Sequence, residues 1–216
     1  MQGRERAPRG RHAPPPQVRQ DRQRRRLFAA AASVFARAGY ADATAEAIAR
    51  EAGMSKATFY EHFDNKEDCV VALHDAATAA VLDAMRRTGL EHTGPDAAGR
   101  IRAVIHTFLE VLAAFPDEAQ TLLVEIIGAG PRAMERRDHG FAEYAAYVDA
   151  VNREDAERYG VSRLASPHDA YAIVGAVVEL ASRQIRTGEP EDVRDLEPVV
   201  ERLVAGLLHA AAATPA

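Results

Sequence analysis

The feature that most constrains the fold is an apolar repeat of helical period running through most of the chain. Ile101, Val104, Ile105, Phe108, Leu109, Leu112 and Phe115 recur at i, i+3, i+4 and i+7, and Pro116 ends that face. Leu27, Ala30, Ala31, Val34, Phe35 and Ala38 do the same ahead of Gly39, and Val70, Leu73, Ala76, Ala77, Val81 and Met85 do so after Asn65. No segment alternates apolar and polar residues between turn signals as a strand would. The fold class is therefore all-α, with about nine helices by this periodicity.

The composition removes several classes. With 216 residues the chain can bury a core without disulfides or metal. Its single cysteine, Cys69, excludes an intrachain disulfide and a cysteine-based zinc site. The uncharged apolar stretches, such as Ala170 to Val178, fall far short of the roughly 20 residues of a membrane-spanning helix. No apolar signal core follows the first arginines, and a cytoplasmic protein is expected. Net charge is uneven: residues 1–66 hold 13 Lys and Arg against 7 Asp and Glu, and the other 150 hold 14 against 25. Only the N-terminal part is suited to a polyanion.

Four units are expected. Residues 1–20, with four prolines and five arginines, read as a disordered basic arm, either a solvated tail or a DNA contact. Residues 21–65 hold three helices, 66–212 the remaining ones, and 213–216 a tail.

The chemistry lies in the stretch Ile48 to Phe63. Thr44 is a good N-cap for a short helix ending at Ala52, Gly53 suits a tight turn, and Ser55 caps a second short helix ending near His62. Two short helices around a glycine turn make a helix-turn-helix, whose second helix can enter a DNA major groove. Ile48, Met54 and Phe59 are expected to bury between the helices. Lys56 and Thr58 stand near the start of the second helix, where side chains reach base edges, and Ala57 permits close approach. Tyr60, His62 and Lys66 are expected to donate to phosphates.

These residues resemble the DNA-binding domain of the TetR family of bacterial regulators over about residues 22–74. The matching positions are Gly39-Tyr40, Thr44, Ile48-Ala49, Ala52-Gly53, Met54-Ser55, Thr58, Tyr60-Glu61-His62-Phe63 and Lys66. Ala57 stands where the family often has glycine, Ala47 where an acid would complete a capping box, and Cys69 at a usually aliphatic position. The resemblance implies a homodimer formed by the last two helices and a ligand cavity in the C-terminal domain. It further implies a repressor that binds a palindromic operator and is released by a small molecule. For the dimer, the faces carrying Tyr171, Val174, Val178 and Ile185, and Leu196, Val200, Leu203 and Leu207, are the candidates.

The effector would be apolar or amphipathic, given a mostly aliphatic domain. Glu125 and Glu179 are charges inside apolar helices, so each is either ion-paired or ligand-bound, and Arg183 stands one turn from Glu179 to pair with it. His106 and Glu110 share a face, and Tyr144 and Tyr147 are candidates for a pocket wall. No catalytic residue, metal site or cofactor is expected. Two other readings remain: an activator or architectural DNA-binding protein without effector, and a nucleotide-binding enzyme using Gly128-Ala129-Gly130, which would need a parallel sheet.

Overall fold

Regular helices form wherever the apolar period is sustained, and the side chains that begin them are those expected of caps. The computed structural model describes residues 16–213. It contains α1 (Pro16–Asp42), α2 (Ala45–Glu51), α3 (Lys56–Tyr60), α4 (Lys66–Glu91), α5 (Ala97–Ala114) and α6 (Pro116–Leu123). After a 3-10 turn (Glu125–Gly128) come α7 (Pro131–Tyr159) and α8 (Pro167–Thr187), then a second 3-10 turn (Val193–Leu196) and α9 (Glu197–Ala213). No strand occurs among the described residues, and no helix among them is long and apolar enough to cross a membrane. Thr44, Ser55 and Asn65 each accept a backbone N–H three residues on, at 3.1, 3.1 and 2.9 Å. Ser166 and Asp169 form a reciprocal capping box at the start of α8.

Two boundaries differ from the sequence reading, and the stop at Gly39 agrees with it. Residues 16–20 of the expected arm belong to α1: Pro16 fits a first helical turn, and the straight side chains behind it lose little freedom in a helix. The rest of the arm, 1–15, and residues 214–216 lie outside the described residues. At Gly39 the backbone takes φ 78, so regular helix stops there and Tyr40–Asp42 form a separate turn. The sequence predicts one short helix from about Asp117 to Ile127, but it breaks after Leu123, where Ile126 is drawn completely into the N-terminal core.

That core decides how the parts are joined. Leu27, Phe35, Ile48, Phe59 and Val70 of α1–α4 pack with Ile126, Ala129 and Ala133 from the 3-10 turn and the start of α7. Burying a side chain such as Ile126 contributes about 1.5–3 kcal/mol, so the two regions share one hydrophobic unit rather than a linker. The Gly128-Ala129-Gly130 stretch is this connection, with Ala129 buried and no strand among the described residues, and the dinucleotide reading falls. Farther on, α4, α5 and α7 pack through Val81, Leu82, Met85, Val104 and Tyr147, and α5 meets α8 and the second 3-10 turn through Leu109, Ala181, Val193 and Leu196.

His74 sits in the α4–α7 contact, where a Cβ on Gly140 would come 2.6 Å from its Cε1, so only glycine fits opposite the ring. Burial pushes its pKa down to about 4 from 6.5, aided by Arg136 and Arg137 and opposed by Asp75 and Glu143. The folded protein therefore binds fewer protons than the unfolded chain between these values, and stability is lost as pH falls below about 6.5. We expect a loss of about 2 kcal/mol between pH 7 and pH 5 from this residue. Urea titrations at the two pH values should show a smaller drop in His74→Gln than in the native chain; equal drops would place the effect elsewhere.

Candidate DNA interface and effector cavity

The helix-turn-helix is fixed from below. Phe59 is fully buried, with Phe63 5.4 Å away and Phe28 stacked on Phe63 at 5.7 Å. Gly53 takes φ 64, and a Cβ there would also lie 3.1 Å from Arg26 Nη2, which donates to Ala52 O at 2.7 Å. The positive φ favours glycine here, and any side chain would also press on the Arg26 guanidinium. What α3 and its cap leave outside are Ser55, Lys56, Ala57 and Tyr60, the last 48 % exposed, with Thr44 exposed at the start of α2. Lys56 Nζ stands 3.9 Å from Glu46, a loose surface pair that leaves it available to another anion. Thr58 is half-buried and its hydroxyl lies 3.0 Å from that of Ser55. The Nε2 of half-buried His62 is enclosed without a partner.

Lys66 departs from expectation. Its ammonium donates to the carbonyls of Tyr40, Ala41 and Ala43 at 2.7, 2.9 and 3.0 Å, and lies 4.5 Å from the Tyr40 ring centre. An ammonium has three N–H groups, and all are taken. The turn Tyr40–Asp42 ends α1, so carbonyls there and at Ala43 have no helical partner, and Lys66, the first residue of α4, satisfies them. It braces the domain and has no donor left for phosphate.

The C-terminal domain contains a cavity of ≈ 110 Å³ between α4, α5, α7, α8 and α9. Met85, Val104, Phe108, Val148 and Val178 are among its walls, with Tyr144 and Tyr147. Empty apolar cavities of about 150 Å³ take up molecules the size of benzene, so this space can receive an apolar group as it stands. Asn152 and Asp155 of α7 also line it. Asp155 is completely buried and its Oδ1 accepts from Arg100 Nη1 at 2.6 Å. Arg100 also donates to Glu154 at 2.7 Å and to Gly89 O at 3.1 Å.

With both sites defined, comparison with known proteins is decisive for the first. Residues 27–73 match the model of the bacterial regulatory proteins of the tetR family. The N-terminal domain is a TetR-family DNA-binding domain. The remainder shares the architecture of such regulators. The fatty acid degradation regulator FadR from Bacillus halodurans superposes with a TM-score of 0.78 at 21% identity, covering 90% of this chain and 97% of that one. FadR from Bacillus subtilis, solved with stearoyl-CoA, gives 0.74 at 21%, covering 84% and 98%. The Thermus thermophilus FadR repressor with lauroyl-CoA gives 0.62 at 20%, covering 84% and 93%. At these identities the likeness is one of fold.

Within this TetR-type architecture, the sequence-derived ligand candidates separate. Tyr144 and Tyr147 line the cavity; the others are engaged elsewhere. Glu125 accepts from the Tyr40 N–H at 2.9 Å and from Gln120 at 3.0 Å, holding the turn behind Gly39. Nearby, Thr121 donates to Ala32 O at 3.0 Å. Glu125 is therefore a clasp between the DNA-binding and C-terminal domains. Glu125→Ala should lower stability by about 1.5–3 kcal/mol in urea unfolding, as expected of a charged hydrogen bond, and an unchanged midpoint would show the clasp to be idle. Glu179 is exposed and pairs with Arg186 at 2.9 Å, not with Arg183, which donates to Glu189 O at 3.3 Å. His106 lies 3.0 Å from Glu197, and Glu110 3.2 Å from Arg194, in an exposed network joining α5 to the C-terminal end.

The dimer candidates also separate. Val174, Val178 and Val200 face the cavity and Leu196 is buried in the chain's own core. Tyr171 is exposed, while Ile185, Leu203 and Leu207 are half-buried.

Asn152, Asp155 and Arg100 were not singled out from sequence. Asp155 belongs to the charged run Asn152–Arg158, which reads as solvated. The usable signal was spacing: Tyr144, Val148, Val151 and Asp155 follow i, i+4, i+7 and i+11 on α7.

Proposed function

We propose that the protein is a one-component transcriptional repressor that binds a palindromic operator as a homodimer and is released by an amphipathic small molecule. The observation that carries this reading is a TetR-family helix-turn-helix joined to an apolar cavity domain through one shared buried core. A change in cavity shape reaches α1 through Ile126, Ala129, Ala133 and the Glu125 clasp.

In this reading Lys56 and Thr58 meet base edges, Ser55, Ala57, Tyr60 and Thr44 fit the backbone, and His62 lies at the same surface. Dimerisation uses the outer faces of α8 and α9, where Tyr171 and Val199 are exposed and Ile185, Leu203 and Leu207 stand half-covered. Two recognition helices one turn of DNA apart, about 34–36 Å, read a palindrome. The effector has an apolar body. The FadR structures with stearoyl-CoA and lauroyl-CoA make a long-chain acyl thioester the first probe. A dodecyl chain exceeds the cavity in its present form, so its entry displaces wall side chains. That supplies the differential binding on which release depends. No reaction is assigned, and the protein acts in the cytoplasm.

Selection from a randomised double-stranded DNA library at near-physiological salt tests the first half. One enriched palindrome is expected. Salt-sensitive binding without enrichment would support an architectural protein instead, and binding by a monomer in light scattering would overturn the dimer.

A further inference from the structure

Two of the residues that line the cavity carry buried polar atoms without a hydrogen-bond partner. Asp155 has two carboxylate oxygens; Oδ1 takes Arg100, and Oδ2 is enclosed with no hydrogen-bond partner. Tyr147, 8 % exposed, also has a buried hydroxyl without a partner. Both residues line the cavity. Asn152 beside them is complete: it donates to Ser162 O at 3.0 Å and accepts from Leu164 N–H at 2.8 Å. Buried atoms of His62, Glu67, His92 and Arg137 also lack a partner, but of these six residues only Asp155 and Tyr147 line the cavity, and each such buried group requires an explanation.

Their chemistry is asymmetric. An ionised carboxylate only accepts, so Asp155 Oδ2 calls for a donor, and the phenol of Tyr147 can serve as donor or acceptor. Arg100 lies behind Asp155, with Nη1 on Asp155, Nη2 on Glu154 and Nε on Gly89 O. A carboxylate or phosphate entering the cavity would meet Asp155 before the guanidinium. The rest of the lining is aliphatic and aromatic apart from Asn152, and includes Ile101, Val151, Leu164 and Leu208.

We propose that the effector carries a hydrogen-bond-donating group, a hydroxyl or an amine, on an apolar body, and that Asp155 and Tyr147 select it over the matching carboxylate. The inference rests on the cavity being the effector site. Asp155 Oδ2 accepts from the ligand, and Tyr147 Oη is the second polar contact. A site built to hydrogen-bond a ligand rejects an analogue that leaves its polar groups unpaired, far more strongly than an apolar wall rejects an extra methylene.

The test is calorimetric titration of the full chain with 1-octanol, octylamine and octanoate, with thermal shift as a second readout. The alcohol, the amine or both should bind at least about tenfold more tightly than octanoate, and whichever leads identifies the donor. Tyr147→Phe, which keeps the Arg100–Asp155 pair, should reduce that preference severalfold. Asp155→Asn, which turns the orphan acceptor into a donor, should abolish or reverse it. Equal binding of the three, or a lead for octanoate, would overturn the inference while leaving the cavity as an effector site. Binding that survives when Val178→Phe fills the cavity, or no binding by any probe, would overturn the cavity reading itself and the inference with it.

Discussion

Arg100→Leu is expected to destabilise the protein by about 3–5 kcal/mol, the largest effect of any single substitution outside the apolar core. The guanidinium side chain is 6 % exposed and Asp155 is 0 % exposed, so the pair is withdrawn from water. Removing the cation leaves Asp155 as a bare interior charge and strips Gly89 O of its donor. The cost is that of the uncompensated charge rather than the worth of the bond, and the double variant tests this. Arg100→Leu combined with Asp155→Leu should recover most of the loss, because well-packed hydrophobes often replace a buried pair at no net cost. Urea unfolding of the three proteins gives the comparison. A single variant that loses less than about 1 kcal/mol would mean the pair behaves as a solvated surface bridge. The expected recovery would also show that folding does not require the pair, in keeping with a ligand-directed role for Asp155.

Lys66→Ala is expected to lower stability by about 2 kcal/mol, within the range for hydrogen bonds to a charged group, and to weaken DNA binding without changing its salt dependence. The ammonium is spent on the Tyr40, Ala41 and Ala43 carbonyls, so its loss loosens the turn that seats α2 against α1. A residue that neutralised a phosphate would release a counterion. Its removal would flatten the slope of log affinity against log salt by about 0.9. Affinity measured over a salt series, at a temperature where both proteins are folded, separates the two. A flatter slope would return Lys66 to the phosphate backbone.

These two residues illustrate what the sequence conveys. The helix-turn-helix was legible because local rules determine it: Thr44 and Ser55 cap, Gly53 turns at a positive φ, and Ile48 and Phe59 fall at buried spacings. The same holds for the all-α class. Lys66 read as a DNA contact because a lysine follows the candidate phosphate donors Tyr60 and His62. Its partners lie 23 to 26 residues away, at a kink whose free carbonyls no pattern announces. Glu125 likewise stands in an apolar run, and only the return of α6 beside α1 reveals Tyr40, 85 residues distant, as its partner. Asp155 was hidden by composition. Among charged neighbours a buried aspartate looks ordinary, and its place on the cavity stripe shows only when the face of α7 is traced. The apolar faces of α8 and α9 read as dimer surface, because periodicity does not separate residues that face a partner from Val174, Val178 and Val200, which line the chain's own cavity.

The central claim is that occupancy of the C-terminal cavity changes the affinity of the helix-turn-helix for DNA. Fluorescence anisotropy of the library-selected operator, titrated with the protein in the presence and absence of lauroyl-CoA, measures this directly. The expected result is a rise in the DNA dissociation constant of roughly 5- to 150-fold at saturating ligand, the usual span of allosteric coupling. An equal loss of ligand affinity when operator is bound must accompany it, because coupling between two binding sites is reciprocal. Ligand that binds the protein and leaves operator affinity unchanged would contradict the claim, whatever the cavity holds.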